Sequence, residues 1–281
     1  MRLIALALLF VGVVACVDDD DVQVIAHRGA SWDAPEHTFA SWDLALRHDA
    51  DWLEFDLQQA ADGQLVVLHD ETLDRTARGP VDDCRGDVRS KTLRQLAGCD
   101  VGVWFNADHP DRASDAFIGA RIPTFDEALA RFAPRARLYI EIKNPDEAPG
   151  MIDSLLAALG QHGLLMPEAI RRRLLVQSFS AAALRELHSK APRLRLVQLL
   201  DDPIPADSLD ARFAAIAGYA VGVGPSRRIV SARFVERAHV AGLVVHPYTV
   251  NDSTVMVYML GLGVDGMFTD RPDLIRRLVS R

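Results

Sequence analysis

The strongest constraint in this sequence is its alternation of short apolar, strand-like runs with helical stretches. Strand-like runs occur at 22–26, 52–57, 64–68, 137–142, 174–178, 194–199, 217–221, 243–249 and 266–269. Helical patterns at 38–47, 125–132, 150–161, 181–189, 231–241 and 253–260 separate most of them. Strands that alternate with helices build a parallel sheet through right-handed crossovers. One connection breaks the pattern, because only Gln58-Gln59-Ala60-Ala61-Asp62-Gly63 lies between the second and third runs. A parallel crossover needs about a dozen residues or more, so this pair reads as an antiparallel hairpin turning at Asp62-Gly63. The hairpin would bring His69 back beside Glu54 and Asp56. With the return strand set aside, eight parallel strands remain, the number that closes a barrel. The expected fold is therefore α/β: a distorted (β/α)8 TIM barrel with an excursion at about 71–122, where the barrel period is lost.

The chain has 281 residues and is 49% hydrophobic, with 14 Pro and 18 Gly, which excludes disordered and collagen-like classes. No low-complexity tract, internal repeat or long Gly/Ser linker marks a second domain, so 22–281 reads as one barrel domain. Thirty-one Lys plus Arg face 39 Asp plus Glu, for a net charge of −8. That balance gives no general attraction to nucleic acid, and any anionic ligand must be held by a local cationic site.

Residues 1–15, MRLIALALLFVGVVA, have the layout of a secretory signal: one Arg, an apolar run, then small residues. The run is too short to span a bilayer comfortably. Val13-Val14-Ala15-Cys16 resembles a bacterial lipobox, which implies a mature chain lipidated at Cys16 and anchored to a membrane on the periplasmic or cell-surface side. An ordinary signal cleaved near here, or a plain apolar N-terminus, is the alternative. Residues 16–21, with the acidic run from Asp18 to Asp21, then read as a solvated spacer. Cys84 and Cys99 remain as an even pair that can form a disulfide after export; two unpaired buried thiols are the alternative.

Polar residues gather at the strand ends, where a barrel builds its active site. The first strand ends in His27-Arg28-Gly29, the second carries Glu54-Phe55-Asp56, the return strand ends in His69-Asp70, and the next carries Glu141-Ile142-Lys143. Residues two apart on a strand share a face, so Glu54 and Asp56 point together, as do Glu141 and Lys143. Buried in a barrel without partners, these charges would be costly. Three convergent carboxylates, Glu54, Asp56 and Glu141, suit one hard divalent cation such as Ca²⁺ or Mg²⁺. Arg28 and Lys143 supply local positive charge for an anion such as phosphate. His27 and His69 are natural proton donors and acceptors near neutrality. Together these groups point to cleavage of a phosphoryl ester.

Ten stretches then occur in an ordered set: His27-Arg28-Gly29, Pro35-Glu36-His37-Thr38, Glu54-Phe55-Asp56, Asp62-Gly63 through His69-Asp70, Leu73-Asp74-Arg75-Thr76, Ile122-Pro123-Thr124, Glu141-Ile142-Lys143, Gln177-Ser178-Phe179, Thr249-Val250-Asn251 and Thr269-Asp270-Arg271-Pro272. In this order the chain resembles the glycerophosphodiester phosphodiesterases. The resemblance implies a distorted (β/α)8 barrel, a divalent cation, and hydrolysis of small glycerophosphodiesters to sn-glycerol 3-phosphate and an alcohol. It implies His27 and His69 as general acid and base, Glu54, Asp56 and Glu141 as cation ligands, and Arg28 and Lys143 as phosphate contacts.

Two positions depart from the family pattern. His37 stands where Asn is usual, which would alter a hydrogen bond behind the site, and Tyr248 stands where Trp is usual, which would shrink an aromatic wall against the substrate. Glu36 and Thr38 read as loop-holding and helix-capping residues. No chemistry is assigned to His37, His48, His109, His162, His188, His239 or His246, and Trp104-Phe105 reads as local core. Competing functions are a lysophospholipase D or sphingomyelinase D-like activity, which a long apolar groove would favour, and a non-catalytic surface lipoprotein. The sequence does not specify oligomeric state.

Overall fold

The computed structural model describes residues 22–279. The leader, Cys16 and the acidic spacer all lie outside the described residues. The strands are β1 Gln23–Ala26, β2 Trp52–Gln59, β3 Leu65–Val67, β4 Arg137–Ile142, β5 Leu174–Ser178, β6 Leu196–Leu200, β7 Gly222–Pro225, β8 Val244–Val245 and β9 Gly266–Thr269. Eight of them are parallel, in the spatial order β8-β7-β6-β5-β4-β2-β1-β9, and β3 pairs antiparallel with β2. The seam between β8 and β9 is closed by Asp265 N–H to Val245 O at 3.0 Å, Phe268 N–H to Pro247 O at 3.0 Å and Val250 N–H to Phe268 O at 2.8 Å. The expected (β/α)8 barrel is thus observed. The helices are α1 Phe39–Arg47, α2 Leu93–Leu96, α3 Val103–Asp108, α4 Phe125–Phe132, α5 Met151–Gln161, α6 Pro167–Arg173, α7 Ala181–Lys190, α8 Leu209–Ala217, α9 Ala232–Val240, α10 Ser253–Gly261 and α11 Pro272–Val279.

The two-residue period of the strands sorts their side chains into two cores. Ile25, Trp52, Tyr139, Leu175, Val197 and Phe268 form one cluster, the barrel interior. The alternate residues, among them Val24, Leu53, Phe55, Leu138, Ile140 and Val176, pack outward with the helices. Moving two residues on from the interior layer, Ile25 leads to His27, Trp52 to Glu54, Tyr139 to Glu141 and Leu175 to Gln177. A further two lead to Asp56 and Lys143. The polar site is the next layer of the same stack.

The hairpin is as expected, with Leu57 opposite Val67 and Gln59 opposite Leu65. Gly63 takes φ +78°, a left-handed conformation that glycine adopts at little steric cost. Thr38 caps α1: its hydroxyl accepts from Ser41 N–H and Ser41 Oγ reaches back to the Thr38 N–H, a capping box. Between β3 and α4 the chain leaves the barrel and builds its own small core from Leu73, Ala77, Cys84, Val88, Leu96, Cys99 and Val101. Cys84 and Cys99 form a disulfide there, with Cα atoms 5.5 Å apart. Trp104 and Phe105, on α3, are both buried.

The seventh strand corrects the sequence reading. Residues 217–221 were expected to be extended, but α8 runs to Ala217 and the strand is Gly222–Pro225. Gly-Val-Gly-Pro has little strand propensity, yet the glycines are required by close packing. A Cβ at Gly222 would lie 2.5 Å from Val244 Cγ2, and one at Gly224 2.6 Å from Leu199 Cδ2.

Candidate active site

At the C-terminal end of the barrel, His27, Arg28, His69, Gln177, Phe179, Leu199, Tyr248, Thr249 and Phe268 line a cleft of about 140 Å³. Both expected histidines reach it, and each is held from behind. His27 Nδ1 lies 2.6 Å from Asp270 Oδ1, and His69 Nδ1 lies 2.6 Å from Asp70 Oδ1. An ionised carboxylate only accepts, so each Nδ1 carries the proton and Nε2 is the nitrogen left for chemistry. Asp270 titrates at about 2: burial would raise it, but His27, Asn251 and Ser31 override that. Burial lowers the His69 pKa against the opposing hydrogen bond that its Nδ1 donates to Asp70.

The three expected carboxylates also converge. Asp56 and Glu141 are partners in the β2–β4 register, with Glu54 one step below Asp56 on the same face. All three are buried. Burial, together with the neighbouring charges of Asp56 and Glu141, raises Glu54 well above the usual carboxylate range. Burial and Asp56 likewise push Glu141 up to about 7. Asp56 goes the other way: burial would raise it, but Lys143 and His37 hold it well below. Lys143 Nζ sits 2.9 Å from Glu141 Oε1 and 3.9 Å from Asp56 Oδ1. Arg28 takes φ +60°, donates its backbone N–H to Glu54 Oε2 at 2.7 Å, and places Nε 3.5 Å from Asp56 Oδ2.

His37, given no role from sequence, belongs to this cluster. It is buried at φ +54°, with Nε2 2.8 Å from Asp56 Oδ2. Its donor atom and those of Glu54 and Asp56 all lie within 4.8 Å of one another. With Oδ2 taken by His37, Asp56 Oδ1 is buried without a hydrogen-bond donor. Crowded carboxylates with a free buried oxygen are a donor set that fits a hard divalent cation.

Other partners were missed as well. Glu36 does hold its loop, pairing with Arg28 NH1 at 3.1 Å and with both terminal nitrogens of Arg75 at 2.8 Å. Asp70 and Asp270 were visible as acidic residues at strand ends, but nothing local in sequence ties Asp270 to His27. Tyr248 forms one wall of the cleft with Phe179, their ring centroids 5.9 Å apart at 85°. Its hydroxyl donates to Leu200 O at 3.2 Å. Among the other histidines, His246 is buried in the barrel against the Tyr139 hydroxyl, and burial lowers it to about 4.

Residues 27–274 match the profile of the glycerophosphoryl diester phosphodiesterase family. The glycerophosphodiester phosphodiesterase of Bacillus subtilis strain 168 is 41% identical over 259 residues, covering 92% of this chain and 87% of that protein. Among solved structures, the glycerophosphodiester phosphodiesterase of Agrobacterium tumefaciens C58 has a TM-score of 0.72 at 30% identity, covering 91% of this chain and 99% of its own. An Oleispira antarctica phosphodiesterase, solved with its product sn-glycerol-3-phosphate, has a TM-score of 0.79 at 27% identity and covers 93% of this chain and 98% of its own. Fold, strand-end chemistry and relatives agree, and the chain belongs to the glycerophosphoryl diester phosphodiesterase family.

Proposed function

We propose that this protein hydrolyses glycerophosphodiesters to sn-glycerol 3-phosphate and an alcohol, with His27 and His69 as the general acid–base pair and a divalent cation as cofactor. The observation that carries the reading is one cleft holding two histidines, each with Nδ1 fixed by an aspartate, beside Arg28 and a buried carboxylate cluster. Glu54, Asp56 and Glu141 would hold the cation, with His37 fixing the second oxygen of Asp56. When bound, the cation supplies Lewis-acid stabilisation of phosphoryl oxygens. Arg28 and Lys143 orient the anionic phosphodiester and take up the charge that grows on its oxygens. One histidine accepts the proton of the attacking oxygen at Nε2 as the new P–O bond forms. The other gives a proton from Nε2 to the departing alkoxide as the old bond breaks. Water and the glycerol 2-hydroxyl are the two nucleophiles open to this site, and a transient cyclic phosphate distinguishes the second.

The apolar wall of the cleft is short, confined to Phe179, Leu199, Tyr248 and Phe268. That favours a small glycerophosphodiester over a lysolipid. The retained histidines, carboxylates and Lys143 argue against a purely binding role. Residues 1–15 as export signal, Cys16 as the lipidated residue and 16–21 as spacer to a single barrel domain complete the proposal, placing the enzyme at a membrane on the exported side. The mass of the chain recovered from a bacterial membrane fraction tests that part.

The activity test is glycerol 3-phosphate release from glycerophosphocholine after chelation and again with added Ca²⁺, Mg²⁺ or Mn²⁺. Release that requires a cation is expected. No release from folded protein with any of the three would overturn the proposal.

A further inference from the structure

Arg75 does not line the cleft, yet through two carboxylates it joins two residues that do, His69 and Arg28. Its Nε lies 2.6 Å from Asp70 Oδ2, and the other oxygen of Asp70 holds His69 Nδ1 at 2.6 Å. Its two terminal nitrogens lie 2.8 Å from the two oxygens of Glu36, which in turn pairs with Arg28. The guanidinium stacks over Trp104, centroid distance 5.5 Å, and the Trp104 indole donates to Val101 O at 2.8 Å. Arg75 itself leaves the backbone between Leu73 and Ala77, both buried in the small core that contains the Cys84–Cys99 disulfide.

We propose that Arg75 is a positioning residue for the reaction, fixing Asp70, and through it the ring of His69, from the disulfide-closed excursion, with Glu36 as its anchor on the barrel. The proposal rests on the acid–base role given to His69 above. Three of the five N–H groups of the planar guanidinium are committed to two carboxylates, so the two like charges are held at fixed separation and Asp70 is kept from swinging away from the imidazole. Lysine, a point charge on a flexible stem, offers no such fork. Arg75 is partly exposed while Glu36 and Asp70 are largely covered, so the variants are compared by kcat and KM in folded protein, which separates orientation from any loss of stability. The excursion is then part of the catalytic apparatus, since it carries both Arg75 and the Trp104 face on which it stacks.

The test is a double-mutant cycle on the full chain between Arg75→Gln and Asp70→Asn, read as kcat and KM for glycerophosphocholine. Arg75→Gln is expected to lower kcat about tenfold, equivalent to about 1.4 kcal/mol, with KM little changed. In the Asp70→Asn background the same change should cost less than about twofold, because the route through Asp70 is already cut. Arg75→Ala should recover activity with millimolar guanidinium, which a misfolded variant would not. A wild-type rate in Arg75→Gln or Arg75→Lys would overturn the proposal, as would a tenfold cost that persists unchanged with Asn at 70. Failure of the underlying reading has a separate signature, a normal rate in His69→Ala.

Discussion

Asp270→Asn changes the hold on His27 while preserving the shape of the side chain. Asp270 Oδ1 accepts from His27 Nδ1 at 2.6 Å and from Ser31 Oγ at 3.0 Å, and Oδ2 accepts from Asn251 Nδ2 at 2.5 Å. Asn251 cannot turn its amide over to suit a new neighbour. Its Oδ1 already accepts from the Asp270 backbone N–H at 2.9 Å and from Thr269 Oγ1 at 3.2 Å. An asparagine at 270 must therefore set its own NH₂ against one donor or the other. Facing His27, it drives the ring proton to Nε2, so that nitrogen cannot accept, and it withdraws the negative charge that steadies an imidazolium; facing Asn251, it breaks the strut that aims the side chain. The magnitude follows from the titration of Asp270, drawn from 3.8 down to about 2. That fall is worth about 2.5 kcal/mol of interaction with the charged form, or a factor of roughly 70 in rate if all of it is spent on orienting the imidazole. A loss of about 10²-fold in kcat is expected, within the range of general acid–base effects. The same 2.5 kcal/mol caps the stability lost at neutral pH, about 5–10 °C in Tm. The carboxylate contribution is present above its unfolded pKa and fades as pH falls toward 2, so variant and wild type should converge in acid. Steady-state kinetics and melting curves at pH 7 and pH 3 measure both. A kcat within about threefold of wild type, in folded protein, would refute the role of Asp270.

Three further outcomes follow from the same geometry. Glu141 titrates at about 7 in the absence of a cation, so it is protonated below that pH and proton and cation compete for it. Calorimetric affinity for Mn²⁺ should rise from pH 5.5 toward pH 7 and then level, and Glu141→Gln should flatten the curve; a flat wild-type curve would remove Glu141 from the ligands. His37→Ala should weaken Mn²⁺ binding about 10–100-fold by releasing Asp56, whereas His37→Asn, tolerant of φ +54° and still able to donate, should stay close to wild type. Equal affinities in all three proteins would show that the Asp56 contact is idle. Replacing Cys84 and Cys99 by Ser opens a 15-residue loop and should cost about 3 kcal/mol in urea unfolding, while a count of two reactive thiols in oxidised wild type would mean the bond does not form.

The parts of the fold legible in sequence are those whose residues choose their own conformation. β4, β5 and β9 match their expected bounds, and each is bounded by turns or helices and carries a short apolar run. β7 is not legible, because Gly222 and Gly224 answer to Val244 and Leu199, neighbours on other strands. The same division runs through the site. His27, Glu54, Asp56, Glu141 and Lys143 stand out because a two-residue step from an apolar strand puts charge where only a barrel mouth tolerates it. Asp270 lies 243 residues from His27, and Arg75 lies 39 from Glu36. No local period encodes such pairs; closure of the barrel and docking of the excursion create them. His37 shows the intermediate case, a residue marked as unusual by its place in a motif but given its task only when the loop folds over Asp56.

Charge accounts for how this layer can exist one step above an apolar core. Fully ionised, Glu54, Asp56 and Glu141 would carry three negative charges against the two positive charges of Arg28 and Lys143, which would leave one uncompensated negative charge in a buried space. The protein alone answers by keeping protons on carboxyls: burial and mutual repulsion raise Glu54 and Glu141 together, while Lys143 and His37 keep Asp56 ionised. One divalent cation would replace those protons and turn the balance to a single positive charge, equal and opposite to that of a phosphodiester monoanion. With those protons displaced, neutrality returns when the substrate joins the cation, so each should bind more tightly in the presence of the other, a reciprocal coupling that follows from linkage.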